Sequence, residues 1–285
     1  MLNGNLSSLL RYASHPIEIG RNIQRWRNTE TVDLPLVLVL GPPRSGTTLL
    51  HRTLLNHSRI AGFSEETSII SPKSIYDFNR FAHFVDEDAY RTALDNTRSL
   101  AGFFAALHKY ALPAGDLAYY AEKTPQHAKR LDYILSRFPN VRIVFAVRDG
   151  RDTYCSGKAA GNIPQARTIR SHAAYFMACV RPAMAEVARR QDQICVVRYE
   201  DFTIDPSGQL DRIMGFLGIE AEPEAQLSAA ARKSDDRASR AEFARLNAPI
   251  SGETVGRWRR EMTCTEATAY ARIAGSGLSH FGYEI

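Results

Sequence analysis

In the stretch "LVLVLGPPRSGTTLLHRTLL", residues 36 to 55, an apolar run ends at Gly41. Arg44, Ser45, Gly46, Thr47 and Thr48 then crowd donors into the turn before a second apolar run. Gly41 and Gly46 keep the spacing of the phosphate-loop pattern GxxxxGK[ST], but Thr47 stands where the lysine belongs and an arginine lies inside the loop. A helix beginning near Gly46 aims its unpaired amides at whatever fills the loop, the hydroxyls add donors, and the Arg44 guanidinium can hold two oxygens at once. Together these groups make an anion cradle. "VRDGRDTYCSG" supplies a second set. Arg148 follows another apolar run directly, and Ser156 lies about two helical turns further on. The two can converge on one phosphate if the first turn of that helix is irregular.

A triphosphate site steadies its β and γ phosphates with the loop lysine and holds Mg²⁺ with an acid after another strand. Here the lysine is missing and Arg148 precedes Asp149. The pattern suits a ligand whose transferred group carries less charge than a terminal phosphate, for which cationic side chains suffice and no metal is required. Two alternatives stay open: a phosphate-loop kinase or nucleotide hydrolase, and a non-catalytic module that holds a phosphorylated ligand, since fold does not dictate function.

The elements that must position these groups are short. "PLVLVLG", "VRIVFAV", "DQICVVRY" and, more weakly, "DLAYYAE" read as buried parallel strands. Helical stretches at 46 to 57, 125 to 137, 167 to 190, 206 to 217 and 263 to 280 separate or follow them. Alternating strands and helices predict right-handed crossovers and an α/β phosphate-loop fold of three layers, a central parallel sheet flanked by helices. Ligands of such sheets bind outside the carboxyl ends of the strands, where the residues named above fall. Residues 63 to 116, 157 to 166 and 219 to 256 fit the alternation poorly and read as helical excursions and mobile loops over the site. No linker justifies a domain cut, so residues 1 to 285 read as one domain with an extension over 1 to 34.

The composition is ordinary for a globular chain, with 285 residues, 44% hydrophobic and 24% charged. A formal charge of +5 suggests an anionic partner. The basic residues are scattered, however, which argues against nucleic acid and anionic lipid. Cys155, Cys179, Cys195 and Cys264 lie far apart, so neither disulfides nor a zinc site is expected. The first residues lack the pattern of a signal peptide and no apolar run is long enough to span a membrane, which makes a soluble cytoplasmic protein the expectation.

Taken in order, "GPPRSGTTLL", "VRIVFAVRDGRDTYCSG", "VVRYEDF" and "VGRWRREM" resemble the sulfotransferases that use 3′-phosphoadenosine 5′-phosphosulfate (PAPS), over about residues 36 to 285. The resemblance implies that the first loop binds the 5′-phosphosulfate, that Arg148 and Ser156 bind the 3′-phosphate, and that Tyr199 lies near the adenine. The arginine form of the loop is similar to the protein-tyrosine sulfotransferases and many bacterial members. "FSEETSII" then maps the base of that branch to Glu66, and "EKTPQH" maps its sulfuryl-contacting lysine to Lys123. Glu65 and His127 are the competing bases. The histidine base of the cytosolic branch has no counterpart, because Pro125 holds its position.

Ser251, Gly252 and Glu253 replace the Arg-Lys-Gly that grips the 3′-phosphate in cytosolic members. Arg257 and Trp258 are candidates to close over the nucleotide, and Trp258 equally reads as a packing anchor. The other histidines, His51, His57, His83, His108, His172 and His280, read as structural. The implied reaction is in-line sulfuryl transfer to a hydroxyl or amine, with 3′-phosphoadenosine 5′-phosphate (PAP) as product. A small-molecule, carbohydrate or lipid-linked acceptor is expected, and a homodimer is left open. The aromatics of "SIYDFNRFAHF" are candidates for an acceptor groove, although their spacing also suits a core.

Overall fold

The computed structural model describes residues 16–72, 78, 81–83, 85–112, 115–228 and 249–285. Its elements run α1 (Pro16–Arg27), β1 (Leu36–Leu40), α2 (Thr47–Leu55), β2 (Ile60–Gly62), α3 (Glu87–Asp95), α4 (Leu100–Ala111) and β3 (Tyr119–Glu122). There follow a 3₁₀ segment (Pro125–Arg130), α5 (Leu131–Arg137), β4 (Arg142–Val147), α6 (Gly150–Ala160), α7 (Ile169–Glu186) and β5 (Ile194–Arg198). The chain ends with α8 (Tyr199–Ile204), α9 (Pro206–Leu217), α10 (Pro223–Gln226), α11 (Trp258–Glu261) and α12 (Cys264–His280).

The strands form one sheet in the order β2-β3-β1-β4-β5, with every pairing parallel. Successive side chains of a strand face opposite sides. Leu36, Leu38, Leu40, Ile143, Phe145 and Val147 therefore join the core shared with α4, α7 and α12, while Val37, Val39, Val144 and Ala146 meet Leu50 and Leu54 of α2 and Leu210 and Met214 of α9. Helix layers on both faces leave β1 and β4 no solvated side, which is why their sequences are continuous apolar runs.

The predicted strands form with their ends trimmed. The short edge strand β2 escapes periodicity because three residues carry no period. The helix expected over 125 to 137 starts instead as a 3₁₀ turn, with Pro125 in its first turn and His127 drawn inward. Helix α1, inside the expected extension, packs on the body of the protein. Trp26 stacks on Tyr133 at 3.9 Å and Asn22 donates to the Ser71 carbonyl. Of residues 74 to 84 only Phe78 and 81–83 are described, and Phe81 is buried against Tyr90 and Phe103 as core. Residues 229–248 of the expected loop over 219 to 256 lie outside the described residues. Among the described residues no helix is long and apolar enough to cross a membrane.

Sheet closure leaves little room beside the first loop. A Cβ on Gly41 would lie 2.0 Å from the Ala146 carbonyl oxygen of β4, and its φ of 144° is one that side-chain-bearing residues rarely adopt. Gly41→Ala is accordingly expected to lower the unfolding free energy by about 3 kcal/mol. An unchanged urea midpoint would contradict this close approach.

His51, His108 and His172 are buried, and burial holds their pKa values down to about 3, about 4 and about 4, from 6.5. The folded protein keeps them neutral while the unfolded chain protonates them near 6.5, so unfolding takes up protons below that pH. Their stabilising contribution is complete above pH 6.5 and declines as the pH falls toward 4. The expected result is a melting temperature that already drops between about pH 6.5 and 5, above the range where carboxylates dominate. A flat profile over that interval would count against three neutral histidines.

Candidate active site

Parallel strands all end at the same edge of the sheet, and that edge gathers the candidate residues. β1 runs into the loop 41–46, β2 toward Glu66, β3 into Lys123, β4 into Arg148 and β5 into Tyr199. The strand order reverses on either side of β1, which opens a crevice there. In the loop, Arg44 and Gly46 take left-handed φ values of 71° and 84°. Glycine is required at 46 for a second reason: a Cβ there would come within 2.6 Å of the Tyr199 ring. Ser45 and Thr47 are buried, and the Ser45 hydroxyl has no hydrogen-bond partner among the described residues. The first amides of α2, from Thr47 and Thr48, open onto this loop.

The two anion-binding candidates meet. Arg44 Nε donates to Ser156 Oγ across 3.1 Å, which joins the first loop to α6. Arg148 precedes α6 outright, since the helix starts at Gly150 with Asp149 as its cap, so no irregular turn is needed to free it. Its guanidinium lies 4.4 Å from the Tyr199 ring centre, donates to the Thr254 carbonyl, and lies 3.4 Å from Asp152 Oδ2. Arg148 Nε is buried with no hydrogen-bond partner among the described residues.

A strap over residues 254–258 crosses this cluster. The buried Asp152 carboxylate accepts the Gly256 and Trp258 amides at 2.8 and 2.9 Å, and Tyr199 and Thr254 share a hydrogen bond of 3.1 Å. Burial raises the Asp152 pKa, against the opposing pull of the Trp258 amide, Arg148 and the Gly256 amide. Arg257 is turned onto Glu261 at 2.8 Å. The Trp258 ring centre lies 3.8 Å from the Arg151 guanidinium and 4.6 Å from that of Arg259, and the ring is partly buried against the main core. The polar stretch 251–253 is exposed.

On the other side of the loop, Lys123 Nζ donates to Glu66 Oε1 at 2.7 Å, with the lysine 1% and the glutamate 40% exposed. One partner is dry and the other reaches solvent. Neighbouring Glu65 is turned to His83, 2.9 Å away. His127 is buried, with Nε2 accepting the Ile70 amide and Nδ1 3.3 Å from Glu122 Oε2. Neither ring nitrogen is offered to a substrate.

Three acids were missed in the sequence. Glu122, Asp152 and Glu200 are buried beneath the site, each inside a motif quoted above for a different residue. Glu200 accepts the Asp149 amide and the Tyr283 hydroxyl, at 3.1 and 2.8 Å, and so ties the end of β5 to the turn carrying Arg148. A carboxylate next to a strand end in an apolar context was the available signal.

Comparison with known proteins gives the family and the fold. A family model described as the sulfotransferase family matches residues 35–223. Protein-tyrosine sulfotransferase 1 of Danio rerio is 25% identical over 195 residues, covering 66% of this chain and 54% of that protein. The chain thus spans about half the length of that relative. The sulfotransferase domain from the Synechococcus PCC 7002 olefin synthase superposes with a TM-score of 0.64 at 19% identity, covering 92% of this chain and 98% of that one. Retinol dehydratase, solved with androsterone and the inactive cofactor PAP, superposes with a TM-score of 0.51 at 16% identity, covering 94% and 87%. These two structures share the fold.

Proposed function

The chain belongs to the sulfotransferase family, and from that premise we propose that it moves a sulfuryl group from PAPS to an acceptor hydroxyl or amine by in-line transfer. The observation that carries this reading is the convergence of two cationic strand ends, bridged by Arg44 and Ser156, beside a Glu66–Lys123 pair. The buried, orphaned Ser45 Oγ and Arg148 Nε are the donors that an anion with oxygens at both ends would satisfy.

In this reading Arg44, Ser45, Gly46, Thr47 and Thr48 hold the 5′-phosphosulfate. Arg148 and Ser156 hold the 3′-phosphate, Tyr199 lies against the adenine, and Arg257 and Trp258 belong to the strap that covers it. Glu66 takes the acceptor proton as the acceptor oxygen or nitrogen bonds to sulfur. The bond from sulfur to the bridging oxygen breaks, and Arg44 and Lys123 stabilise the charge left on PAP. The turn of Glu65 toward His83 and the burial of His127 support Glu66 over both as the base. The whole chain then acts as one sulfotransferase domain.

Thermal denaturation tests the donor. PAP without added metal should stabilise the protein, by about 2.7 kcal/mol at a hundredfold excess over its dissociation constant. Stabilisation by ATP with Mg²⁺ instead would favour a kinase, and a response to neither a binding module. Transfer of label from radiolabelled PAPS into a cell extract then identifies the acceptor. The small-molecule, carbohydrate or lipid-linked class would be displaced by label recovered in protein tyrosine.

A further inference from the structure

Glu122 ends β3 one residue before Lys123, yet its carboxylate is wholly buried and turned away from solvent. Oε1 accepts the Thr67 amide at 3.3 Å, the Thr67 hydroxyl at 2.9 Å and the Thr124 hydroxyl. Thr124 Oγ1 accepts the Ser68 amide at 3.1 Å, and His127 Nε2 accepts the Ile70 amide at 3.1 Å. Three amides of the segment that follows Glu66 are thereby tied to the segment that carries Lys123. Ser68, at a left-handed φ of 50°, is held in a conformation a serine rarely adopts unaided.

We propose that Glu122 is a positioning residue: with Thr67, Thr124 and His127 it fixes the loop bearing Glu66 against Lys123, so that base and cation keep one separation. The inference rests on the sulfotransferase reading for its consequence, though not for its geometry. The ionised carboxylate is suited to the task because it only accepts hydrogen bonds, and every group facing it is a donor. Nε2 of His127 accepts from Ile70, which puts the ring proton on Nδ1, facing Glu122 Oε2. Burial opposes the charge on Glu122. The donors around it, His127 Nδ1 and the Thr124 and Thr67 hydroxyls, overcome that opposition and hold its pKa low.

Glu122→Gln breaks the scheme with minimal change of shape. Either orientation of the amide sets an NH₂ against an N–H, that of His127 Nδ1 or that of the Thr67 backbone. Thr67→Val is the milder variant, removing the one hydroxyl that donates to Glu122 and accepts the Ile69 amide at 3.5 Å, and it carries the test should the first variant fail to fold. Hydrogen exchange by mass spectrometry should show the amides of Thr67, Ser68 and Ile70 exchanging about tenfold faster in Glu122→Gln, and by a smaller factor in Thr67→Val.

The turnover number for transfer from radiolabelled PAPS into a cell extract should fall at least about thirtyfold in Glu122→Gln, with KM for PAPS and PAP affinity within about twofold of wild type. Unchanged exchange in this loop would overturn the proposal, as would wild-type turnover despite faster exchange. A loss of PAP affinity parallel to the loss of rate in Thr67→Val would also overturn it, since that marks a general structural role. A wild-type protein that neither binds PAP nor transfers label would refute the sulfotransferase reading alone, because the exchange measurement still decides whether Glu122 holds the loop.

Discussion

Arg44→Ala is expected to lower sulfuryl-transfer turnover by more than about 100-fold, the loss seen when one donor to developing charge is removed, about 2.7 to 4 kcal/mol of barrier. Its position explains why one side chain matters this much. The loop holds Arg44 at a left-handed φ of 71°, and its guanidinium reaches Ser156 on α6, so it links the loop after β1 to the helix after β4. Arg148→Ala makes the contrast. That arginine lies against Tyr199 and the Thr254 carbonyl, on the side assigned to the 3′-phosphate, so its loss should raise KM for PAPS and weaken PAP binding with a smaller change in turnover. Steady-state kinetics with PAPS as the varied substrate, together with calorimetry of PAP, separate the two. Equal effects on KM and turnover from both substitutions would contradict the division of labour.

Glu66→Gln is expected to cost a similar factor, again more than about 100-fold in turnover, while PAP affinity stays near wild type. The substitution removes the proton acceptor, and it also leaves the Lys123 ammonium, 1% exposed, facing an amide oxygen in place of a carboxylate. Breaking a fully buried pair typically costs about 3 to 5 kcal/mol of stability. Glu66 is 40% exposed, so solvent screens this pair and the stability loss should be well below that range. A Glu66→Gln enzyme with near-native turnover would eliminate Glu66 as the base.

The fold and one half of the site can be read from residue order because both are written locally. Four apolar runs and the residues just after them name the parallel sheet and its ligand-binding edge, since a strand buried on both faces must be apolar throughout and a parallel sheet puts every strand end on one side. Gly41, Gly46 and the hydroxyls and guanidinium of the loop lie within a few residues of one another, so their shared chemistry survives without coordinates. Glu66 and Lys123 were reachable only through family resemblance, because nothing in their spacing says that two residues 57 positions apart close to a 2.7 Å contact.

What tertiary structure alone decided is how the separate strand ends are tied to one another. The sequence gives no hint that Arg44 meets Ser156, that Asp152 receives the amides of Gly256 and Trp258, or that Glu122 gathers donors from Thr67 and Thr124. Each joins groups on different elements, and a buried carboxylate is stable only where folding surrounds it with donors. Propensity and periodicity describe one element at a time, whereas the need to satisfy a buried charge is met across several.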